Sequence, residues 1–294
     1  MVSMGFYELK RRARLTLTFF LVAITFIASS CVFRAAAFRR ASFLLQLKID
    51  SIFKLSSLQR ATLRRELDVF LTDLNRREVL AVQELLIDSS KQLKQGATMD
   101  EVESFFVRWD TLYSGALTRA SAPIGAFLAD LNPEQVSQFK DVQLERRREI
   151  SESLSVGEVE FASRSRKKTA KQVSVWIGTL NEKQLAAVSG FAQQEFGWRK
   201  REVVARERSH EKFTNALQER QSAQKLAELF LQQQTLPFSQ LDPEHAALRR
   251  ERRAQWAKLI SDLSLSITNE QRAHFKRETQ SLAADVALIG ASSD

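Results

Sequence analysis

Leu131-Asn132-Pro133-Glu134-Gln135 decides how this chain folds. An aliphatic residue is followed by a capping residue, two variable positions and a glutamine. The same form returns at Leu55-Ser56-Ser57-Leu58-Gln59, Leu180-Asn181-Glu182-Lys183-Gln184 and Ile267-Thr268-Asn269-Glu270-Gln271. In all four an apolar residue stands four places after the glutamine: Leu63, Phe139, Val188 and Phe275. A Ser, Thr or Asn at the N-cap accepts a hydrogen bond from an orphan N–H of the first helical turn. A Gln or Glu three residues later bonds back to the N–H of the cap. Each occurrence therefore predicts a helix start. Thr98-Met99-Asp100-Glu101 is a further capping box, and Leu154-Ser155-Val156-Gly157-Glu158 and Leu241-Asp242-Pro243-Glu244-His245 are variants. Proline at the first helical position, as at Pro133 and Pro243, is tolerated because its missing N–H would be unsatisfied anyway. Leu131 with Val136, Leu154 with Val159, and Leu180 with Leu185 are expected hydrophobic staples.

Helix ends are expected at Gly96, Gly178 and Gly290. Pro123 should kink or divide the helix from Thr98 to Ala129, Gly197 should break the one after Gln184, and Thr235-Leu236-Pro237 reads as a loop. The expected fold is all-α, with about eight amphipathic helices in antiparallel hairpins or a bundle. Core faces are expected at Phe105, Phe106, Trp109, Leu112, Leu117 and Phe127. Others fall at Val173, Trp176, Ile177, Leu185, Val188, Phe191 and Phe196, and at Trp256, Leu259, Ile260 and Leu263. With only 9 Gly and 4 Pro in 294 residues, a turn-rich β protein is not expected.

Upstream of these helices lies Met1 to Cys31. Lys10, Arg11, Arg12 and Arg14 precede an uncharged apolar run, Leu15 to Ala28. Ser29 and Ser30 then lead to the only cysteine. A charged head, an apolar middle and a small-residue exit are the parts of a secretory signal. A cysteine directly after the exit makes it look like a lipoprotein signal. That implies cleavage before Cys31, diacylglycerol on its sulfur and an acyl chain such as palmitate on the new amine. Several chains on one residue hold a membrane firmly, where one is marginal. The uncharged gap between Arg14 and Arg34 is also long enough for an uncleaved inner-membrane signal anchor. The position of the cysteine favours the lipoprotein. No aspartate follows Cys31, and in a Gram-negative cell that points to the outer membrane, facing the periplasm.

The domain plan is thus a signal over 1–30, a lipidated membrane-proximal helix over 31–54, a helical domain over 55–290 and a tail over 291–294. Phe33 to Phe53 reads as a short amphipathic helix near the anchor. Its Phe43, Leu44, Leu47 and Ile52 are assigned to the core, with Arg34, Arg39 and Arg40 close to lipid phosphates. Taking 30 residues from 294 leaves 264. Taking four basic and one acidic residue from the totals of 44 and 35 leaves a net charge of +6. For an exported protein the available polyanions are lipid phosphates, lipopolysaccharide and cell-wall carboxylates, and no nucleic-acid partner is expected.

No catalytic or metal-ligating set is assigned, and no cofactor beyond the acyl groups on Cys31. His210, His245 and His274 are far apart in sequence, and there is no phosphate loop or G-x-S-x-G motif. Acids are interleaved with bases at helical spacing, so Glu145 with Arg148 and Glu202 with Arg206 read as solvated faces. The basic clusters are Arg146-Arg147-Arg148, Arg164-Ser165-Arg166-Lys167-Lys168, Arg199-Lys200-Arg201 and Arg249-Arg250-Glu251-Arg252-Arg253. They read first as solubilising helix surface, because adjacent residues point different ways around a helix. Arg146, Arg147, Arg148, Arg166, Lys167, Lys168, Arg249, Arg250, Arg252 and Arg253 are the alternative candidates for gripping an anionic partner.

A resemblance emerges from the order of these features. Cys31, a short helix, the capped helix with Gln59 and the Asn75-Arg76-Arg77-Glu78 segment come first. Leu131 to Gln135, Arg146-Arg147-Arg148, Trp176-x-Gly178-x-Leu180 and Asn269-Glu270-Gln271-Arg272 follow. Together they resemble an uncharacterised family of proteobacterial helical lipoproteins, known as a domain of unknown function. In that family a histidine often stands at the place of Asn75 and a proline at that of Ala81. The resemblance implies lipidation and an all-α fold, and no reaction. The capped glutamine repeats are also similar to the helix-start motif of Spy/CpxP-type periplasmic chaperones. The function expected is therefore a non-enzymatic binding or chaperone-like role toward unfolded or envelope proteins. The alternative is a structural role on cell wall or lipopolysaccharide.

Overall fold

A computed structural model describes residues 41–92, 96–234, 241 and 243–291, with the side chains of 41, 74–77 and 287–291 excepted. The leader, Cys31, Arg34, Arg39, Arg40, the Thr235-Leu236-Pro237 loop and the side chains of Asn75, Arg76 and Arg77 lie outside the described residues. Within them the chain is all-α, with no strand and nine helices: α1 (Ala41–Phe53), α2 (Ser57–Gln92), α3 (Met99–Ala129), α4 (Pro133–Ser155), α5 (Glu158–Ile177), α6 (Glu182–Gln218), α7 (Ala223–Gln233), α8 (Pro243–Leu265) and α9 (Asn269–Ala291). Sequential pairs α2–α3, α4–α5, α5–α6 and α6–α7 pack together. Long-range pairings α3–α7, α2–α9 and α6–α8 close the body.

The four glutamine repeats are helix starts, as their chemistry predicts. The Ser56, Asn132, Asn181 and Thr268 side chains accept from the N–H of Gln59, Gln135, Gln184 and Gln271, and each glutamine accepts from the N–H of its cap. Thr98 and Glu101 form the same box on α3. What local sequence does not predict is that the boxes come in pairs. Gln59 and Gln135 bond each other through their side-chain amides, at 3.2 and 2.7 Å. Gln184 and Gln271 do the same at 2.8 and 2.9 Å. Each glutamine also donates to the carbonyl two residues before its partner's cap: Gln59 to Asp130, Gln135 to Lys54, Gln184 to Ser266 and Gln271 to Thr179. The two clasps share one pattern of bonds, related by a local twofold exchange of partners.

A separate core sits beneath each clasp. Under Gln59 and Gln135, Phe53, Leu63, Leu128, Phe139, Phe213 and Leu226 come together from α1, α2, α3, α4, α6 and α7. The Phe53 and Phe139 rings stack at 5.4 Å, and Phe213 meets Phe139 edge-on at 5.7 Å. By Gln184, Val188, Phe191, Leu259 and Leu263 join α6 to α8. α6 runs through both cores, and its 37 residues give it a length of about 55 Å.

Several local expectations are overturned. Gly197 does not break α6, because it lies between the buried Phe196 and Trp198. Their packing outweighs the roughly 1 kcal/mol that glycine costs in a helix. Pro123 does not divide α3 either. Two residues later α7 packs so closely that a Cβ on Gly125 would stand 2.2 Å from the Ala223 carbonyl. This contact holds the helix across the proline against a local penalty of about 3 kcal/mol. Ser155 is the last residue of α4 rather than a cap. Gly157, at φ 84°, turns the chain into α5 without a side-chain bond. Val159 consequently faces water and staples nothing, and Leu185 is exposed as well. α9 continues through Gly290. Phe43, Leu44 and Leu47, assigned to the core, are exposed, because α1 meets the body through Ile49, Ile52 and Phe53 instead. The expected aromatic row of α3 is only half-buried.

Candidate functional site

The densest chemistry among the described residues is a buried ionic seam between α6 and α8. Glu202, on α6, is 1% exposed. Its carboxylate accepts from Arg199 at 2.8 Å, from Arg249 at 2.9 Å and from Arg206 at 3.4 Å. Arg249 also donates through Nε to Nε2 of buried His245, one helical turn earlier on α8, at 3.3 Å. One turn away, Arg252 donates to Glu195 at 2.8 Å. The other oxygen of Glu195 accepts from Ser165 of α5, so three helices meet on one carboxylate. The Arg252 guanidinium lies over the rings of Phe191, Trp198 and Trp256, at 4.2, 4.8 and 5.6 Å. Trp198 in turn donates its indole N–H to the Leu248 carbonyl at 2.9 Å.

The local sequence explains the arrangement. His245, Arg249, Arg252 and Trp256 recur at intervals of three or four, which places them on one face of α8. Glu195, Trp198, Glu202 and Ala205 do the same on α6. Planar guanidinia suit such a seam, since they can bond a carboxylate along an edge and stack on an aromatic through a face.

Burial alone would raise the pKa of Glu202. The charges of Arg206, Arg249 and Arg199, with the hydrogen bond from Arg199, outweigh it and hold the carboxyl below the usual range. Cations outnumber carboxylates here. Arg249 is accordingly pushed down to about 10 by burial, with attraction from Glu202 opposing and neighbouring guanidinia adding to the shift. Arg252 is also pushed to about 10 by burial, against the pull of Glu195. Both stay protonated at neutral pH. Further along α6, burial and the charges of Arg206, Arg146 and Arg147 push His210 down to about 4.

The solvated-face reading of Glu202 with Arg206 is therefore wrong for Glu202: the pair faces inward, because the acid needed by α8 sits on the buried stripe of α6. The surface reading of the 249–253 cluster fails for the same reason. Arg249 and Arg252 are buried, and Arg253 reaches α3, pairing with Asp110 and, at 2.8 Å, with Glu103. Arg250 alone of these four arginines faces water. Arg147 bridges to Glu207 at 2.5 Å, and Arg148 to Glu152 at 3.2 Å. Arg146 is half-buried, and burial together with Arg206 lowers its pKa. Arg166, Lys167 and Lys168 are exposed on α5. Of the ten candidates, Arg249, Arg252 and Arg253 are spent inside the fold, and the other seven are divided among α4, α5 and α8.

Glu195, Trp198 and Ser165 are not singled out by sequence, while in sequence Glu202 reads as part of a solvated face and His245 as an isolated histidine at a helix start. The i, i+4 step from His245 to Arg249 is the only local signal for them. The seam pairs both of its carboxylates with guanidinia and leaves cations in excess. Among the described residues no group of three or more His, Cys, Asp or Glu could hold a metal ion. No described helix is long and apolar enough to cross a membrane.

Glu78, in the segment behind the family resemblance, bonds Arg119 of α3. No curated protein and no solved structure matches the chain. Residues 59–241 match the model of DUF6279, a family of unknown function. The match begins at the first clasp glutamine and takes in both members of that clasp together with Glu195 and Glu202. On that match the chain belongs to the DUF6279 family of unknown function.

Proposed function

We propose that this is a lipid-anchored protein of a proteobacterial cell envelope, tethered through Cys31 to the outer membrane and facing the periplasm, where its helical body binds other proteins in a chaperone-like, non-enzymatic way. The observation that carries the address is the sequence order of basic head, apolar run, Ser29-Ser30 and Cys31. Support for a binding role comes from apolar side chains left on otherwise charged helices: Leu58, Val69, Leu80, Val107, Val159 and Leu265 are all more than half exposed. Such residues, interspersed with charge, suit weak contact with unfolded chains. The paired glutamine caps add a likeness in motif to Spy/CpxP-type chaperones.

Fatty-acid labelling of the wild type against Cys31→Ser tests the address. Label on the wild type alone is expected. Retention of Met1 with a bare Cys31 would leave an inner-membrane signal anchor instead. The purified body lacking the leader should slow aggregation of an unfolded test protein at near-stoichiometric amounts, and no effect would discard the chaperone role.

A second reading is a structural protein bound to cell wall or lipopolysaccharide. It is favoured by α5, where Arg164, Lys167 and Lys171 share the solvent face and no acid occurs from Phe161 to Ile177. Its signature is a pulldown on those polymers that fades with salt.

A further inference from the structure

Helix α1 has two apolar faces. Ile49, Ile52 and Phe53 pack on the first core. On another side Phe43, Leu44 and Leu47, at i, i+1 and i+4, fall within one arc of about 100° and are 43, 42 and 50% exposed. Elsewhere on the described surface most exposed large apolar residues stand singly. Here three are adjacent, on the first described helix after Cys31.

We propose that this face of α1 rests in the headgroup region of an anionic lipid bilayer, so that the body lies against the membrane rather than hanging from a loose tether. The proposal rests on the reading of Cys31 as a lipid attachment site. Charge argues for the occupant. No aspartate or glutamate occurs between Glu8 and Asp50, while Arg34, Arg39, Arg40 and Lys48 all fall between Cys31 and Ile49. Lys48 flanks the exposed apolar face, and its pKa is lowered by burial and by the charge of Arg146 on α4, so a second cation stands at this edge. An apolar stripe bordered by Lys and Arg is the pattern of helices that lie in the membrane interface. Reach argues for it too. Ala41 is ten residues from Cys31, a span of at most about 36 Å when extended, so α1 is held close to the surface that holds the acyl chains. A second copy of the chain would have to tolerate the same concentration of positive charge across the contact.

The test uses the full chain as the cell leaves its N-terminus, with a nitroxide at Leu47→Cys, in vesicles of phosphatidylethanolamine and phosphatidylglycerol. The reference is a nitroxide at Val159→Cys. Collisions with oxygen should exceed those with a water-soluble nickel complex several-fold more at position 47 than at position 159. In phosphatidylcholine alone that difference should shrink. Equal access of the nickel complex at both positions would overturn the proposal. So would shielding of position 47 from both reagents, which would mean that protein covers the face, either residues 1–40 or a second copy. Equal immersion in phosphatidylcholine would overturn the preference for anionic lipid. Mass spectrometry of the N-terminal fragment reads the tether separately. An immersed label beside a bare Cys31 sinks the anchor and keeps α1, whereas an acylated Cys31 beside a water-exposed label does the reverse.

Discussion

Two basic runs, Arg164-Ser165-Arg166-Lys167-Lys168 on α5 and Arg249-Arg250-Glu251-Arg252-Arg253 on α8, look alike in sequence and end in opposite places. The α5 run keeps its cations in water and turns Ser165 inward. The α8 run turns its guanidinia inward and leaves Arg250 out. The two meet at Glu195, which accepts from Ser165 of one run and Arg252 of the other. What separates them is the facing helix. α6 offers Glu195, Glu202 and the rings of Phe191 and Trp198 to α8, and α3 offers Glu103 and Asp110. The fate of a basic run is set by acids that lie some 50 to 150 residues away in the chain.

Glu202→Ala should break the comparison most sharply. It strands Arg199, Arg206 and Arg249 around a vacated carboxylate site, at a cost of about 3–5 kcal/mol. Urea unfolding measures this, and a loss below about 1 kcal/mol would mean that water already reaches the seam. Arg252→Lys keeps the charge but gives up the flat stack on Phe191 and Trp198. A loss of about 2 kcal/mol is expected, with the Glu195 contact weakened.

Acid titration probes the excess of positive charge beside the seam. His210 takes up its proton near pH 4 in the fold but near 6.5 when unfolded. Between those values the unfolded chain binds more protons, so stability falls as pH drops from 6.5 toward 4. His210→Gln should flatten that slope. An NMR titration of His210 centred near 6.5 would contradict the burial assigned to it. The smallest effect belongs to α5. Lys167→Ala with Lys171→Ala should change stability by no more than about 0.5 kcal/mol, since both are exposed. If α5 grips a polyanion, the same pair should lose salt-sensitive binding while the seam variants retain it.

Helix starts were legible because a capping box is local: five residues contain both of its bonds. The all-α fold followed from those starts and from apolar spacing. Gly197 and Pro123 misled because a residue's propensity for breaking a helix says nothing of Trp198 or of α7, which hold the helices together. Leu44 and Leu47 misled in another way, since helical spacing reveals an apolar stripe without saying whether protein covers it. The seam was hardest to foresee. Glu202 sits in a run of charge, Arg199-Lys200-Arg201-Glu202, whose neighbours Lys200 and Arg201 do face water. Only the register of α6 against α8 distinguishes it.

Each clasp glutamine serves two masters at once: the turn that it opens and the chain end that precedes the other helix. Neither α2 nor α4 can seat its first turn fully until the other has arrived, and the same holds for α6 and α9. Contacts spanning 76 and 87 residues are thereby welded into single events, so the molecule should hold few half-built states. Amide protons at Gln59 and Gln135 should exchange with solvent in step, and those at Gln184 and Gln271 likewise, however far apart each pair lies along the backbone.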